Sequence, residues 1–134
     1  MLSIKDEVNY GTAKQKELFN DINKFFGGNL KPTKFIYARY DFYDNTHIYE
    51  LKSRKCSIHE YPSTVIALNK IDKKGRPQVF IFAFTDGIYY IRYDKELFDT
   101  FELRPFKRNS LEDMTYSETP YFFIPTNKLS KLIV

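Results

Sequence analysis

The stretch DFYDNTHIYELKSRK, residues 41–55, contains the pattern that decides the fold. Its central Asp-Asn pair favours a tight turn, and polar and apolar side chains alternate on both sides of that turn, so the stretch predicts a β-hairpin. If the turn runs from Asp44 to His47, Asp41 lies opposite Glu50 on the neighbouring strand. Like charges directly opposite each other destabilise an antiparallel pair. A surface with a purely structural role would therefore not favour this arrangement.

The register of this hairpin decides which charges meet. With a two-residue loop, Arg39 lies opposite Lys52, so both cross-strand pairs are like-charged. A shift of two residues places Asp41 diagonally from Glu50 on the same face, whereas a three-residue loop turns Asp41 towards the wrong face. Convergence of the two carboxylates therefore requires the two-residue loop or its two-residue shift.

The rest of the chain predicts both helices and strands. Apolar residues recur at helical spacing in residues 12–28, and the two glycines at the end of this segment are a helix stop. A linker is expected at residues 29–34, and segment 63–71, with Ser63 or Thr64 as its cap, predicts a short second helix. Further strands are predicted at residues 34–44, 78–93, 98–104 and 121–125. These elements predict the mixed α/β class, with a central mixed β-sheet flanked by helices.

Composition limits the chain to one domain. Its 134 residues are 43% hydrophobic, which suffices for one core and is too little for two ordinary domains, so we expect a single domain over residues 1–134. The net charge of +4 suits a polyanionic partner without requiring one. The lone Cys56 cannot form an internal disulfide, which favours a reducing, cytoplasmic compartment. The sequence shows neither a signal peptide nor a membrane span, so a membrane partner is not expected.

Acid-x-base triplets have no meaning by themselves in this chain. Such triplets begin at Glu50, Asp72 and Glu102, and about three are expected by chance in a chain so rich in Lys and Arg. Glu50 differs because the hairpin brings Asp41 to it. Two converging carboxylates suit Mg²⁺ or Mn²⁺, which relieves their repulsion and activates water, and the ammonium of Lys52 would stabilise charge on a phosphate.

Asp41, followed by Glu50-Leu51-Lys52 on the next strand and preceded by a helix, resembles the motif of the PD-(D/E)xK nuclease superfamily. The resemblance is nearest to small phage and archaeal Holliday-junction resolvases and related viral nucleases. It implies a restriction-endonuclease-like core of a helix, strands that hold the motif, a second helix and a further strand. It also implies that Asp41, Glu50 and the backbone carbonyl of Leu51 bind the metal, and that Lys52 is the catalytic lysine.

Further residues are candidates for the same site. Glu17 on the first helix either corresponds to the helix-borne acid that some members of the superfamily use or balances the charge of Lys14 or Lys24. Other basic or polar residues are candidate contacts to nucleic-acid phosphates: Arg39, Arg54, Lys55, His59 and Lys70. The alternative is that Arg54 and Lys55 are a solvated strand end, and that His59 is an ordinary polar loop residue.

These observations lead to one principal hypothesis and two alternatives. The principal hypothesis is a Mg²⁺- or Mn²⁺-dependent endonuclease, a phosphodiester hydrolase acting on DNA, with RNA as a further possible substrate. Branched DNA, restriction and repair are its candidate settings, and a homodimer suits a domain this small. One alternative is a catalytically inactive nucleic-acid-binding protein with the same fold. The other is a viral or plasmid accessory protein whose aromatic sheet binds a protein partner.

Overall fold

The computed structural model describes residues 16–33, 40–106 and 119–133. Helix α1 covers residues 16–25 within this range. Strands β1 to β3 are Lys31–Pro32, Phe42–Tyr43 and Ile48–Ser53, and β4 to β6 are Ser63–Ala67, Gln78–Phe84 and Gly87–Arg92. Helix α2 is Lys95–Phe98, and β7 to β9 are Glu102–Arg104, Tyr121–Pro125 and Ser130–Lys131. Two short 3-10 helices follow β4 and β8, at Leu68–Lys70 and Thr126–Lys128.

A six-stranded mixed sheet forms the centre of the fold, in the order β1-β2-β3-β5-β6-β9. Strands β3 and β5 are parallel, and the other neighbours are antiparallel. All seven residues of β5, QVFIFAF, are buried, as expected for a central strand covered on both faces. The predicted mixed α/β class and mixed central sheet are confirmed.

Different elements cover the two faces of this sheet. One face carries Tyr49, Val79 and Ile81 and packs against the apolar side of α1, which includes Ile22. The other face carries Phe80 and Phe82, and packs against the second sheet, of order β4-β8-β7, and against α2. Helical cover of the central sheet is therefore modest. Within the described ranges, no helix has the length and apolar character needed to cross a bilayer.

The predicted hairpin register is confirmed for the paired residues. Phe42 pairs with Tyr49 and Tyr43 with Ile48, which is the pairing of a two-residue loop. The Asp44 N–H donates to the carbonyl of His47 at 3.1 Å, which closes the turn. The regular ladder then stops at Phe42 because the chain bends at the preceding residue.

Three assignments from sequence are corrected by the structure. In the strand predicted at 98–104, only Glu102–Arg104 is a strand, because Phe98 ends helix α2 and a turn follows it. The helix predicted at 63–71 is wrong, because Ser63–Ala67 forms strand β4 with alternate burial and pairs with β8, and only Leu68–Lys70 is helical, as a 3-10 turn. The expected linker at 29–34 contains β1, which pairs with β2. The predicted α1, its glycine stop and the β5–β6 hairpin are confirmed in the described range. Residues 34–39 lie outside it.

Candidate functional site

The site begins where β2 stops pairing with β3. Asp41 lies at a bend before β2, and its backbone N–H donates to the carbonyl of Tyr49 at 2.8 Å. Its carboxylate Oδ2 accepts a 2.8 Å hydrogen bond from the backbone N–H of Leu51. The Asp41 side chain therefore takes the place of a strand partner for β3. This arrangement holds a carboxylate at the edge of the sheet.

Glu50 and Lys52 project from β3 onto the face that carries the second sheet. Their parallel partners on β5 are Phe80 and Phe82, whose rings belong to that face. Leu51 lies between them and packs on the opposite face, as the two-residue period of a strand requires. Glu50 and Lys52 therefore share a face, as the sequence predicted.

Glu50 is a buried acid held by two ammonium groups. Only 7% of the residue is exposed. Its Oε1 lies 3.1 Å from Nζ of Lys52 and 3.4 Å from Nζ of Lys70. A buried charge persists only when it is paired, and these two contacts supply the pairing. Lys70 therefore joins the predicted group of acidic and basic side chains.

The surroundings of Asp41 disfavour the ionised form of its carboxyl group. Burial is the main cause that raises the pKa of Asp41 to about 6, and the nearby negative charge of Glu50 adds to the increase. The Leu51 hydrogen bond and the charges of Lys52 and Lys70 act in the opposite direction. Asp41 and Glu50 thus interact electrostatically, as the hairpin register predicted. The cluster of Asp41, Glu50, Lys52 and Lys70 is hereafter called the carboxylate–lysine cluster.

Lys70 reaches this cluster from the 3-10 turn after β4 rather than from a helix. The amide of Gln78 fixes the turn, because its Nε2 donates to the carbonyl of Lys70 at 2.8 Å and its Oε1 accepts from the N–H of Asp72 at 2.8 Å. Gln78 is buried at the start of β5, beside Ile48 of β3. The link from β5 to the turn therefore positions Lys70 next to Glu50.

The cluster offers oxygen atoms for a hard cation. The carboxylates of Asp41 and Glu50 interact electrostatically here. The carbonyl of Leu51 points to the same side of β3 as the N–H that binds Asp41, since both groups of one strand residue face the same neighbour. Such oxygen ligands suit Mg²⁺ and Mn²⁺. The described part of the chain contains no group of three or more His, Cys, Asp or Glu side chains that could hold a metal ion. A cation here would therefore depend on two carboxylates, a carbonyl and water.

Arg54 is directed into the protein. Its Nε donates to Oγ1 of Thr64 at 3.1 Å, and one of its terminal nitrogens donates to the carbonyl of Val65 at 2.8 Å. The guanidinium also lies over the ring of Phe82, at 5.4 Å from its centroid. These contacts join the end of β3 to β4 of the second sheet. A phosphate contact for Arg54 stays a prediction beside this structural role.

The remaining candidates are not brought into the cluster by any contact described above. Lys55 and His59 are exposed in the loop after β3. Glu17 is exposed on α1, whose apolar side covers the sheet face opposite to Glu50. Arg39 lies outside the described residues. Their roles in binding metal or nucleic acid stay predictions.

A basic pocket that was not predicted from the sequence lies beside the cluster. Its volume is about 340 Å³, and its lining includes Tyr40, Lys70, Lys73, Lys74 and Arg76. The available signal was Gln78, a polar residue at the head of an otherwise apolar strand. Its two bonds to the turn shape the pocket wall.

Comparison with known proteins found no relative. No family model matches this chain, and neither a curated protein nor a solved structure matches it.

Proposed function

We propose that this protein is a metal-dependent endonuclease of the PD-(D/E)xK type, which hydrolyses phosphodiester bonds of DNA. The observation that carries the proposal is the meeting of Asp41 and Glu50 beside Lys52, in the hairpin register that the motif requires. Acid-x-base spacing alone has no weight, so the support comes from this spatial convergence. Asp41 and Glu50 lie nine residues apart in the sequence, yet their carboxylates are near enough to interact electrostatically.

The oxygen atoms of the cluster fit Mg²⁺ or Mn²⁺. Asp41, Glu50 and the Leu51 carbonyl would hold the ion, and a bound cation would offset the burial and the negative charge of Glu50 that raise the pKa of Asp41. When bound, the ion would polarise the phosphodiester and lower the pKa of a water molecule. Metal ligation by Glu17, the helix-borne acid, is not needed for this arrangement.

Lys52 and Lys70 are the groups that would act on the substrate phosphate. Each ammonium has three N–H donors, and each uses one contact on Glu50 Oε1. The remaining donors can bind phosphate oxygens and stabilise the charge that develops during hydrolysis. Glu50 restricts the positions of both ammonium groups. In this proposal Lys52 orients the attacking water and stabilises the developing charge, and Lys70 contacts a phosphate oxygen.

A second function is favoured by the same ion pairs. Two carboxylates and two ammonium groups balance one another, so the cluster is neutral without any cation. A protein that binds nucleic acid without cleaving it, or a viral accessory protein, would need no more than this. The segment 63–71, where the superfamily core has its second helix, supplies a strand and a 3-10 turn instead, which also favours this alternative.

The charge and size of the chain support the proposed substrate and setting. DNA is the proposed partner, with RNA as the alternative, because the net charge is +4 and the cluster faces a basic pocket. A homodimer would bring two such sites to the two strands of a duplex or junction. The lone Cys56 supports a cytoplasmic location.

Cleavage of plasmid and junction DNA with Mg²⁺, with Mn²⁺ and with EDTA tests the proposal. Wild-type protein should cleave only with a divalent cation, and Glu50→Gln and Lys52→Met should each lower the rate at least about 100-fold. Glu96→Gln, at an exposed position of α2, is the matched control and should cleave normally. DNA binding by folded wild-type protein without cleavage under any of these conditions would favour the inactive alternative.

A further inference from the structure

The pocket beside the carboxylate–lysine cluster is continuous with it along three chain segments. Tyr40 lines the pocket and immediately precedes Asp41, and Lys70 belongs to both the pocket and the cluster. Ile48 lines the pocket two residues before Glu50 on the same face of β3, about 7 Å along the strand. This separation is comparable with that of neighbouring phosphates on one nucleic-acid strand.

Positive charge dominates the pocket. Its lining has four basic residues and Asp72 as the one acid, and Asp72 is bound by Arg76 through contacts of 2.9 and 3.0 Å. Lys73 and Lys74 are exposed, and they form no ion pair within the ranges that the structure describes. Two ammonium groups therefore remain available for an anion. Their positive charge lies beside the site at Glu50.

The wall of the pocket is built before any ligand arrives. The N–H of Arg76 donates to Asp72 Oδ2 at 2.9 Å, and the same residue's guanidinium lies over the ring of Tyr40 at 5.2 Å. The side chain of Gln78 hydrogen-bonds the backbone of the turn at Lys70 and Asp72. The loop that carries Lys73 and Lys74 is thus anchored at both ends. A preformed anion site loses less conformational entropy on binding than a flexible one.

We infer that this pocket binds the phosphate next to the one at the carboxylate–lysine cluster, on the same nucleic-acid strand. Lys73 and Lys74 contact that phosphate, and Lys70 lies between the two phosphate positions. This inference rests on the proposed function, since it takes nucleic acid as the substrate. It adds a second binding position and makes the substrate a strand that continues past the reacting phosphate.

The test measures binding without turnover. Fluorescence anisotropy with a dye-labelled single-stranded oligodeoxynucleotide in EDTA, at several salt concentrations, compares wild type with Lys73→Gln/Lys74→Gln. Lys128→Gln/Lys131→Gln is the control, because it removes the same charge from exposed positions on β9 and the preceding 3-10 turn. Thermal melts check that each variant is folded.

The double variant in the pocket should bind about tenfold more weakly, and its slope of log Kd against log salt should fall by roughly 0.7 for one lost phosphate contact. The control should keep the wild-type slope. Equal effects of the two double variants would overturn the inference, even if wild-type protein cleaves DNA. Conversely, selective loss of binding in the pocket variant, without cleavage by any form, would retain the pocket and reject the nuclease.

Discussion

The backbone N–H of Leu51 donates a 2.8 Å hydrogen bond to the carboxylate of Asp41, at the point where the ladder between β2 and β3 ends. A side chain has replaced a strand at this edge. The bond orients the carboxylate towards β3, while burial and the charge of Glu50 oppose its ionisation. The backbone of β3 therefore fixes the position of the Asp41 carboxylate, and the raised pKa of Asp41 reflects how unfavourable ionisation is at that position.

Replacement of Asp41 by Asn should stabilise the protein at neutral pH. The pKa of Asp41 is raised from 3.8 to about 6, so the folded chain binds this proton more tightly than the unfolded chain does. Stability from this group is complete below about pH 4 and is lost as the pH rises through 6. Asn cannot ionise and keeps an oxygen for Leu51. The free energy of unfolding of Asp41→Asn should therefore exceed that of wild type by up to about 3 kcal/mol at pH 7, and the difference should shrink towards pH 4.

Urea denaturation of both proteins across that pH range measures the difference. Asn127→Ala, at an exposed position with no titratable side chain, serves as the control and should change stability by the same amount at every pH. A constant difference between Asp41→Asn and wild type from pH 4 to pH 7 would contradict the assigned cause, since titration of Asp41 is its only source.

Divalent cations should stabilise the wild-type protein through Asp41 and Glu50. A free cation concentration of ten times its Kd would add about 1.4 kcal/mol to the free energy of unfolding, which corresponds to roughly 4 °C in Tm. Thermal melts with MgCl₂ or MnCl₂ at pH 7, matched in ionic strength with NaCl, measure this shift. Glu50→Gln should lose the shift, while Glu96→Gln should retain it. An equal shift in all three proteins would place the cation elsewhere.

Arg54 should matter for stability whatever it does for nucleic acid. Its guanidinium bonds Thr64 and Val65 and packs over Phe82, and a lysine cannot reproduce this planar set of donors. Arg54→Lys should lower the free energy of unfolding by about 1–2 kcal/mol. Lys128→Ala, at an exposed site, should change it by less than about 0.5 kcal/mol. Reduced DNA affinity with unchanged stability would instead assign Arg54 to phosphate binding alone.

The hairpin at residues 41–55 was predictable because its signals are local. The turn residues and the alternation of side chains specify the register, and the register brings Asp41 to Glu50. The segment 63–71 was not predictable in this way. Its short apolar run fits the spacing of a helix as well as that of a strand. It becomes strand β4 because it pairs with β8, which lies more than fifty residues further along the chain. Long-range pairing leaves no trace in a local pattern.

The same limit applies to side chains around the cluster. Lys70 was expected to face the site from a helix, yet it reaches Glu50 because Gln78 fixes a 3-10 turn. Arg54 resembled a surface phosphate contact until the second sheet supplied acceptors for it. Spacing could thus place the charges carried by β3. It could not show which charges the other sheet would turn inward.

Gln78 should control both the stability of the turn and the position of Lys70. The residue is 6% exposed, and Gln78→Met would leave the Lys70 carbonyl and the Asp72 N–H without their partner. Loss of both bonds should cost about 2 kcal/mol in urea denaturation. If the protein is a nuclease, cleavage should also fall, because Lys70 loses its fixed position beside Glu50. Asn127→Met, at an exposed position, should change neither quantity appreciably. Full stability in Gln78→Met would show that the turn is held by other contacts, and full cleavage would remove Lys70 from the mechanism.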